Sequence, residues 1–202
     1  MRRRTTRSAL LAGLALALAL LPLTGCAGAG GGDGGGGLAA AGPPPPEEPS
    51  GRSCAALPAD GPGSLESMGR GPVLTAIDQA KDLTAMSALI RTARAKDLLD
   101  SMDNVTVFAP DDAAFGRLTD DQRKALATPP GAGDLLRKLI VVRDLRRSDL
   151  TDTSYTSLQG AVLQASGSGE EYRIGGAQVL CGSIRTANAR LAMLDRVPDF
   201  GG

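Results

Sequence analysis

The segment Asn104-Val105-Thr106-Val107-Phe108-Ala109-Pro110-Asp111-Asp112-Ala113-Ala114-Phe115 leaves the chain few options. It predicts a buried strand that stops at a proline and turns at once into a short helix. Val105 and Val107 are β-branched, and Thr106 and Phe108 also suit a pleated surface. Pro110 has no N–H and ends the ladder. Asp111 or Asp112 then accepts the free N–H groups of the new helix. Phe115 is an aromatic anchor in a chain with only 2% aromatic residues.

A second motif follows near the end, Thr186-Ala187-Asn188-Ala189-Arg190-Leu191-Ala192-Met193-Leu194-Asp195-Arg196-Val197. Asn188 tolerates a left-handed turn, and Ala189 to Val197 reads as the last strand. Through Thr106, Val107, Phe108, Ala109, Pro110, Asp112 and Phe115, the first motif resembles the "TVFAPT-D-x-AF" signature of the fasciclin domain. Through Asn188, Leu194, Asp195, Arg196 and Val197, the second resembles that family's "TANG-V-x-x-IDRVL" strand. The order is the family's own, and the two lie about 80 residues apart. The resemblance spans roughly residues 57–200. It implies an α+β fold: a wedge-shaped antiparallel β-sandwich with helices packed on one side. The chain looks most similar to the secreted and lipid-anchored fasciclin antigens of mycobacteria.

The departures from the family pattern bear on function. Leu139-Ile140 stands where many members have Tyr-His, and Ala192 where the second signature has His. Ser183-Ile184 replaces the Asp-Ile of adhesive animal members. Apolar residues replace buried ones, so the fold is compatible, but integrin-like recognition does not carry over.

The N-terminus reads as a targeting segment. Arg2, Arg3, Arg4 and Arg7 form a basic start, and residues 9–21 an apolar run too short to span a bilayer comfortably. Leu23-Thr24-Gly25-Cys26 resembles a bacterial lipobox, so residues 1–25 are expected to be a lipoprotein signal peptide and Cys26 the lipidated residue. Several acyl chains at one cysteine give durable anchoring, at ~0.8 kcal/mol per buried CH₂. An ordinary signal peptide beside a chance cysteine is the alternative. The expected place is the outer face of the cytoplasmic membrane.

Residues 26–53 are expected to form a disordered linker, with glycines to Gly37, prolines from Pro43 to Pro46, and then Glu47-Glu48-Pro49. Such a composition buries too little apolar surface to fold. Fully extended, 26 of its residues reach about 90 Å. The fasciclin-like domain is expected over residues 54–200. With Cys26 given to lipid, Cys54 and Cys181 remain as an even pair in an exported chain, which favours a disulfide. Two unpaired buried thiols are the alternative. Members of the mycobacterial subgroup carry cysteines in similar places.

Periodicity places helices first. Leu57, Leu65 and Met68 sit in a Gly/Pro-punctuated lead-in, and Pro72 opens a helix carrying Val73, Leu74 and Ile77. Leu83, Met86, Leu89 and Ile90 mark the apolar face of a second helix, whose mixed polar face fits a core-packing element. Thr119-Asp120-Asp121-Gln122 is a capping box, and its helix is expected to stop before Pro129-Pro130. Asp134 is expected to cap the next helix. Short strands follow from Thr153, with a two-residue hairpin at Gly175-Gly176 and Cys181 pointing inward beside Val179.

The chemistry is limited by what is missing. There is no histidine, which removes Ser-His-Asp and Cys-His nucleophile systems and the commonest metal ligand. The glycine run has no strand before it and no helix after it, so it is no phosphate cradle. Asp111-Asp112 and Asp120-Asp121 are read as helix caps rather than catalytic or calcium pairs. The sequon at Asn104 precedes a core strand and is read as chance. Arg146-Arg147 reads as a solvated pair. Without the four N-terminal arginines, 18 basic residues face 22 acidic ones, which argues against nucleic acid as a partner. No cofactor and no metal are expected. The expected function is a non-enzymatic head for adhesion or protein–protein contact, monomeric, held to the membrane by its lipid and meeting a surface or matrix protein. The alternative is a carrier for a lipid or other small apolar ligand.

Overall fold

A computed structural model describes residues 47–201 of the chain. The expected signal peptide, Cys26 and the linker up to residue 46 lie outside them. Among the described residues no helix is long and apolar enough to cross a membrane.

The two motifs meet as neighbours in the sheet. Strand β1 (Val105–Pro110) runs parallel to the last strand, β7 (Ala189–Leu194), with Val107 opposite Leu191 and Pro110 opposite Leu194. Every residue of both strands is buried. A strand covered on both faces reads as a continuous apolar run instead of an alternation, which is what Val105–Ala109 and Leu191–Leu194 show. The remaining strands are β2 (Ile140–Val141), β3 (Thr153–Thr156), β4 (Val162–Ser168), β5 (Glu171–Ile174) and β6 (Ala177–Arg185). The order is β2-β1-β7-β6-β5-β4-β3, and every pairing other than β1–β7 is antiparallel.

The expected α+β fold is present, and the long β6 explains how one chain makes a layered sheet. Its first residues pair with β5, while Val179 to Arg185 pair with β7. Register shifts on either side of Cys181 separate the two pairings. Bulges bend a strand and raise its twist, so β6 crosses from one half to the other. The Leu158 N–H donates to the Ile140 carbonyl at 2.7 Å, bringing the two edges together at one end. The β5–β6 hairpin turns through Gly175 and Gly176, both with positive φ (52° and 72°). Left-handed residues at both central positions match the twist of the flanking strands. Cys181 is fully buried and joined to Cys54, with Cα atoms 4.9 Å apart. The expected bridge is therefore present.

Of the helices α1 (Leu65–Arg70), α2 (Val73–Gln79), α3 (Thr84–Thr92), α4 (Lys96–Asp100), α5 (Asp112–Gly116), α6 (Asp120–Leu126) and α7 (Pro129–Lys138), α1, α2, α5 and α7 pack on the strands, and α3, α4 and α6 pack mainly on other helices. Met86, Leu89 and Ile90 of α3 are buried, as their spacing predicts. The adjacent aspartates after β1 cap two different helices. Asp111 accepts from the Ala114 N–H of its own α5. Asp112 reaches across to α3, accepting from the Ala85 N–H at 2.7 Å and the Thr84 hydroxyl at 2.6 Å. The Thr119–Gln122 capping box forms as expected.

Four expectations need correction. The lead-in holds a helix, α1, whose Ser64 accepts from the Ser67 N–H; six residues with two glycines nearby give too weak a periodic signal. Helix α6 stops before Pro129-Pro130 as expected, but the next helix opens at those prolines instead of after Asp134. Thr128 caps it, and prolines fit the first turn, where N–H groups lack intrahelical partners anyway. Asp134 is accordingly mid-helix, paired with Arg137. Finally, Glu47–Ser53 do not belong to a free linker. They lie along β6, with Ser50 bridged to Gly182 and the Ser53 N–H donating to the Leu180 carbonyl.

Candidate functional site

Strand β7 has two contrasting ends. At its start sits Asn188, expected in a left-handed turn; it is not among the residues with positive φ. Its side chain matters instead. Oδ1 accepts from the Val73 N–H that opens α2, and Nδ2 donates to the carbonyls of Leu99 and Met102, each at 2.9 Å. The Asn188 carbonyl also accepts from the Asn104 N–H, just before β1. One amide thus ties two helices to the central strands, and the left-handed turn belongs to Asn104, with φ 56°.

Two residues further on, Arg190 points into a largely buried polar site. Its side chain is 6% exposed and pairs with Asp144 through Nε and Nη2. Nearby, Thr106 is buried, accepting from the Leu145 N–H and donating to the Arg143 carbonyl. The sequon hydroxyl is therefore occupied. Asp103, Asn104, Asp144, Arg185, Asn188 and Arg190 border a polar hollow of ≈ 340 Å³.

The other end of β7 is different in kind. Asp195 accepts from the Gln178 N–H at 2.7 Å and pairs with Arg196 at 3.2 Å. Burial pushes its carboxyl up, but the Arg196 guanidinium, the Gln178 N–H and the Arg117 charge outweigh that and hold it below the ordinary value. Burial has the last word at Asp111, whose carboxyl is raised despite the Ala114 N–H. Beyond them the surface turns apolar on both sides of α6. One open groove of ≈ 270 Å³ is lined by Ala85, Ala88, Leu89, Phe115, Leu118 and Leu126. A second, of ≈ 280 Å³, is lined by Leu118, Leu126, Leu135, Val197 and Phe200. Leu118 and Leu126 belong to both, so the grooves join into one face. Lys138 stands over the Phe200 ring, 5.3 Å from its centre.

The signature residues thus fall into two groups. Thr106, Val107, Phe108, Ala109, Pro110 and Leu194 build the core, and Asp112, Asn188 and Asp195 fasten it. Phe115 and Val197, both half-buried, reach the apolar face, while Arg196 is exposed. Arg190, Asp144, Leu118, Leu126 and Phe200 were not singled out from the sequence. Arg190 lies in a strand buried on both faces, where alternation cannot say which way it points. Leu118 and Leu126 sit outside any regular period, since both are at helix ends.

Among the described residues, no group of three His, Cys, Asp or Glu is placed to hold a metal ion. What the arrangement offers is a well-fastened scaffold with a polar end and an apolar end. The fold defines an α+β scaffold protein whose two signature strands lie parallel in the core. The chain belongs to the fasciclin domain family, whose profile matches residues 81–197, more than half of its length. It is 32% identical over 148 residues to immunogenic protein MPB70 of Mycobacterium bovis, covering 71% of this chain and 76% of that one. It is also 32% identical over 160 residues to the cell surface glycolipoprotein MPB83 of M. bovis, covering 73% and 70%. Among solved structures, a FAS1 domain pair from the insect cell adhesion molecule fasciclin I aligns with a TM-score of 0.48 and 16% identity. That alignment covers 58% of this chain and 45% of the insect one.

Proposed function

We propose that this chain is a non-enzymatic interaction head on the cell surface, tethered by lipid on Cys26 and touching a surface protein through the apolar face around α6. Two points support the tether: the lipobox-like Leu23-Thr24-Gly25-Cys26 and the cell-surface glycolipoprotein name carried by the relative MPB83. The observation that carries the contact reading is the position of the apolar face. A chain tethered at Cys26 passes Glu47 on its way into the domain, and Glu47 lies beside Arg190 near the start of β7. The second groove borders Val197, beyond the end of β7. Four strand residues, Leu191–Leu194, separate Arg190 from that end, about 13 Å. A head held at one end thus presents its exposed apolar surface at the other, where a partner's apolar side chains fit between Phe115, Leu118 and Phe200.

The carrier reading is supported by the same apolar lining. Each groove is open and falls below the ~300–1,000 Å³ usual for a pocket that buries most of its ligand. The geometry favours a flat partner over an enclosed acyl chain. Two measurements test the proposal. Cys26→Ser is expected to move the protein from the membrane fraction to the medium; retention on membranes refutes the anchor. Leu118→Lys with Leu126→Lys is expected to abolish partner cross-linking at the cell surface while leaving membrane attachment intact. Co-purification of a stoichiometric lipid with the wild-type head would instead establish the carrier.

A further inference from the structure

Glu47 is held as a ligand is held. Both its carboxylate oxygens accept from the Arg147 N–H, at 3.0 and 3.1 Å, and Oε2 also accepts from the Ser183 hydroxyl at 3.2 Å. Arg147 Nε stands 3.9 Å away and Arg190 Nη1 3.7 Å away. The last two distances are too long for hydrogen bonds. Arg190 Nη1 is consequently buried with no hydrogen-bond partner among the described residues, on a side chain only 6% exposed. A buried donor left unmade is costly, and guanidinium forks suit two-pronged oxyanions. Ser183 itself sits at φ 57° inside β6, a conformation uncommon for serine, and its hydroxyl faces Glu47. A carboxylate with two oxygens satisfies the N–H and the hydroxyl and stops short of the guanidinium. A phosphoryl group has a further oxygen to reach it.

We propose that Arg190, Ser183 and the Arg147 N–H form a phosphoryl-binding site in which the Glu47 carboxylate is an exchangeable resident. An external phosphate group displaces Glu47 and frees the strap Glu47–Ser53, while the Cys54–Cys181 bridge keeps the chain fastened just behind it. The strap is built to yield. Glu47 retains 18% exposure of its side chain. Behind it only the Ser50–Gly182 pair of hydrogen bonds and the Ser53 N–H hold the strap to β6. The local charge balance agrees. Arg190 and Arg147 face Asp144 and Glu47, so withdrawal of Glu47 leaves one positive charge for an incoming anion. The inference is independent of the apolar face.

The test uses the full-length chain in detergent micelles, reading hydrogen exchange of the Ser50 and Ser53 amides. Inorganic phosphate is expected to accelerate exchange at both, whereas formate and chloride at matched ionic strength leave it unchanged. Glu47→Gln removes the competing occupant and is expected to lower the apparent Kd for phosphate about tenfold. Ser183→Ala removes one donor without touching the arginines and is expected to weaken phosphate binding several-fold. Two sources of the phosphate are then distinguished with the chain in phosphatidylcholine vesicles. Acceleration only when phosphatidic acid is included identifies a lipid headgroup, and acceleration by inorganic phosphate alone identifies a free anion. Identical responses to phosphate and chloride in the wild-type, Glu47→Gln and Ser183→Ala chains, with no acceleration by phosphatidic acid vesicles either, would overturn the site and leave Glu47 an ordinary ion pair.

Discussion

The start and the end of β7 lie within a six-residue strand and are held together by different physics. At the start, cohesion is directional: Asn188 makes three side-chain hydrogen bonds and Arg190 pairs with Asp144. At the end, apart from the Asp195 contacts, the Cys54–Cys181 bridge opposite Met193 and Lys138 over the Phe200 ring, Leu118, Leu126 and Phe200 pack through apolar contact and remain partly open to water. Directional bonds fix geometry and make each loss expensive. Apolar packing tolerates substitution and leaves surface for a partner. Directional bonding is concentrated at the polar end and adaptable packing at the apolar one.

Perturbations of the two ends should therefore differ in size. The covalent bridge stands outside that contrast: replacing Cys54 and Cys181 together by serine should have the largest effect, about 4–5 kcal/mol of stability in the entropic account of so long a loop. Denaturant unfolding measures it. Asn188→Ala comes next, about 2–3 kcal/mol, since it strands the Val73 N–H and two carbonyls. If it proves as mild as a surface change, the polar end is not the fastening point. At the other end, Leu118→Ser should cost only about 1 kcal/mol, because its side chain is half-buried to begin with.

Acid titration sharpens the contrast with the smallest expected change. The Asp195 carboxyl is held below its ordinary value in the fold. Its stabilising contribution is present above the unfolded value near 3.9 and is lost as pH falls through the lower folded value. Melting curves below pH 4 should show wild type losing stability that Asp195→Asn does not lose. Asp111 acts with the opposite sign: its raised carboxyl costs stability when ionised, a cost relieved on acidification.

The core was legible in the sequence because its signals are local. Valine-rich β1 ending at Pro110, the Thr119–Gln122 box and the Gly175-Gly176 turn each carry their own chemistry within a few residues. What could not be read depends on contacts distant in the chain. Asp112 was expected at a helix start, and nothing local says that it caps α3, 27 residues away. Glu47 reads as part of a low-complexity tract until Arg147 and Ser183 are brought beside it. Pro129-Pro130 stop α6 as expected, but that they also open α7 depends on the Thr128 cap. The apolar face was invisible because its residues come from α3, α6, α7 and the segment after β7.

The most direct measurement places a photo-cross-linking residue at one of two positions in chains expressed on living cells. One position is Gln122, bordering the apolar face; the other is Asp103, bordering the polar hollow. If the apolar end is the contact surface, Gln122 yields a discrete protein adduct that disappears in the Leu118→Lys, Leu126→Lys background, and Asp103 yields none. A discrete adduct from Asp103, or a Gln122 adduct undiminished by the two lysines, would contradict it.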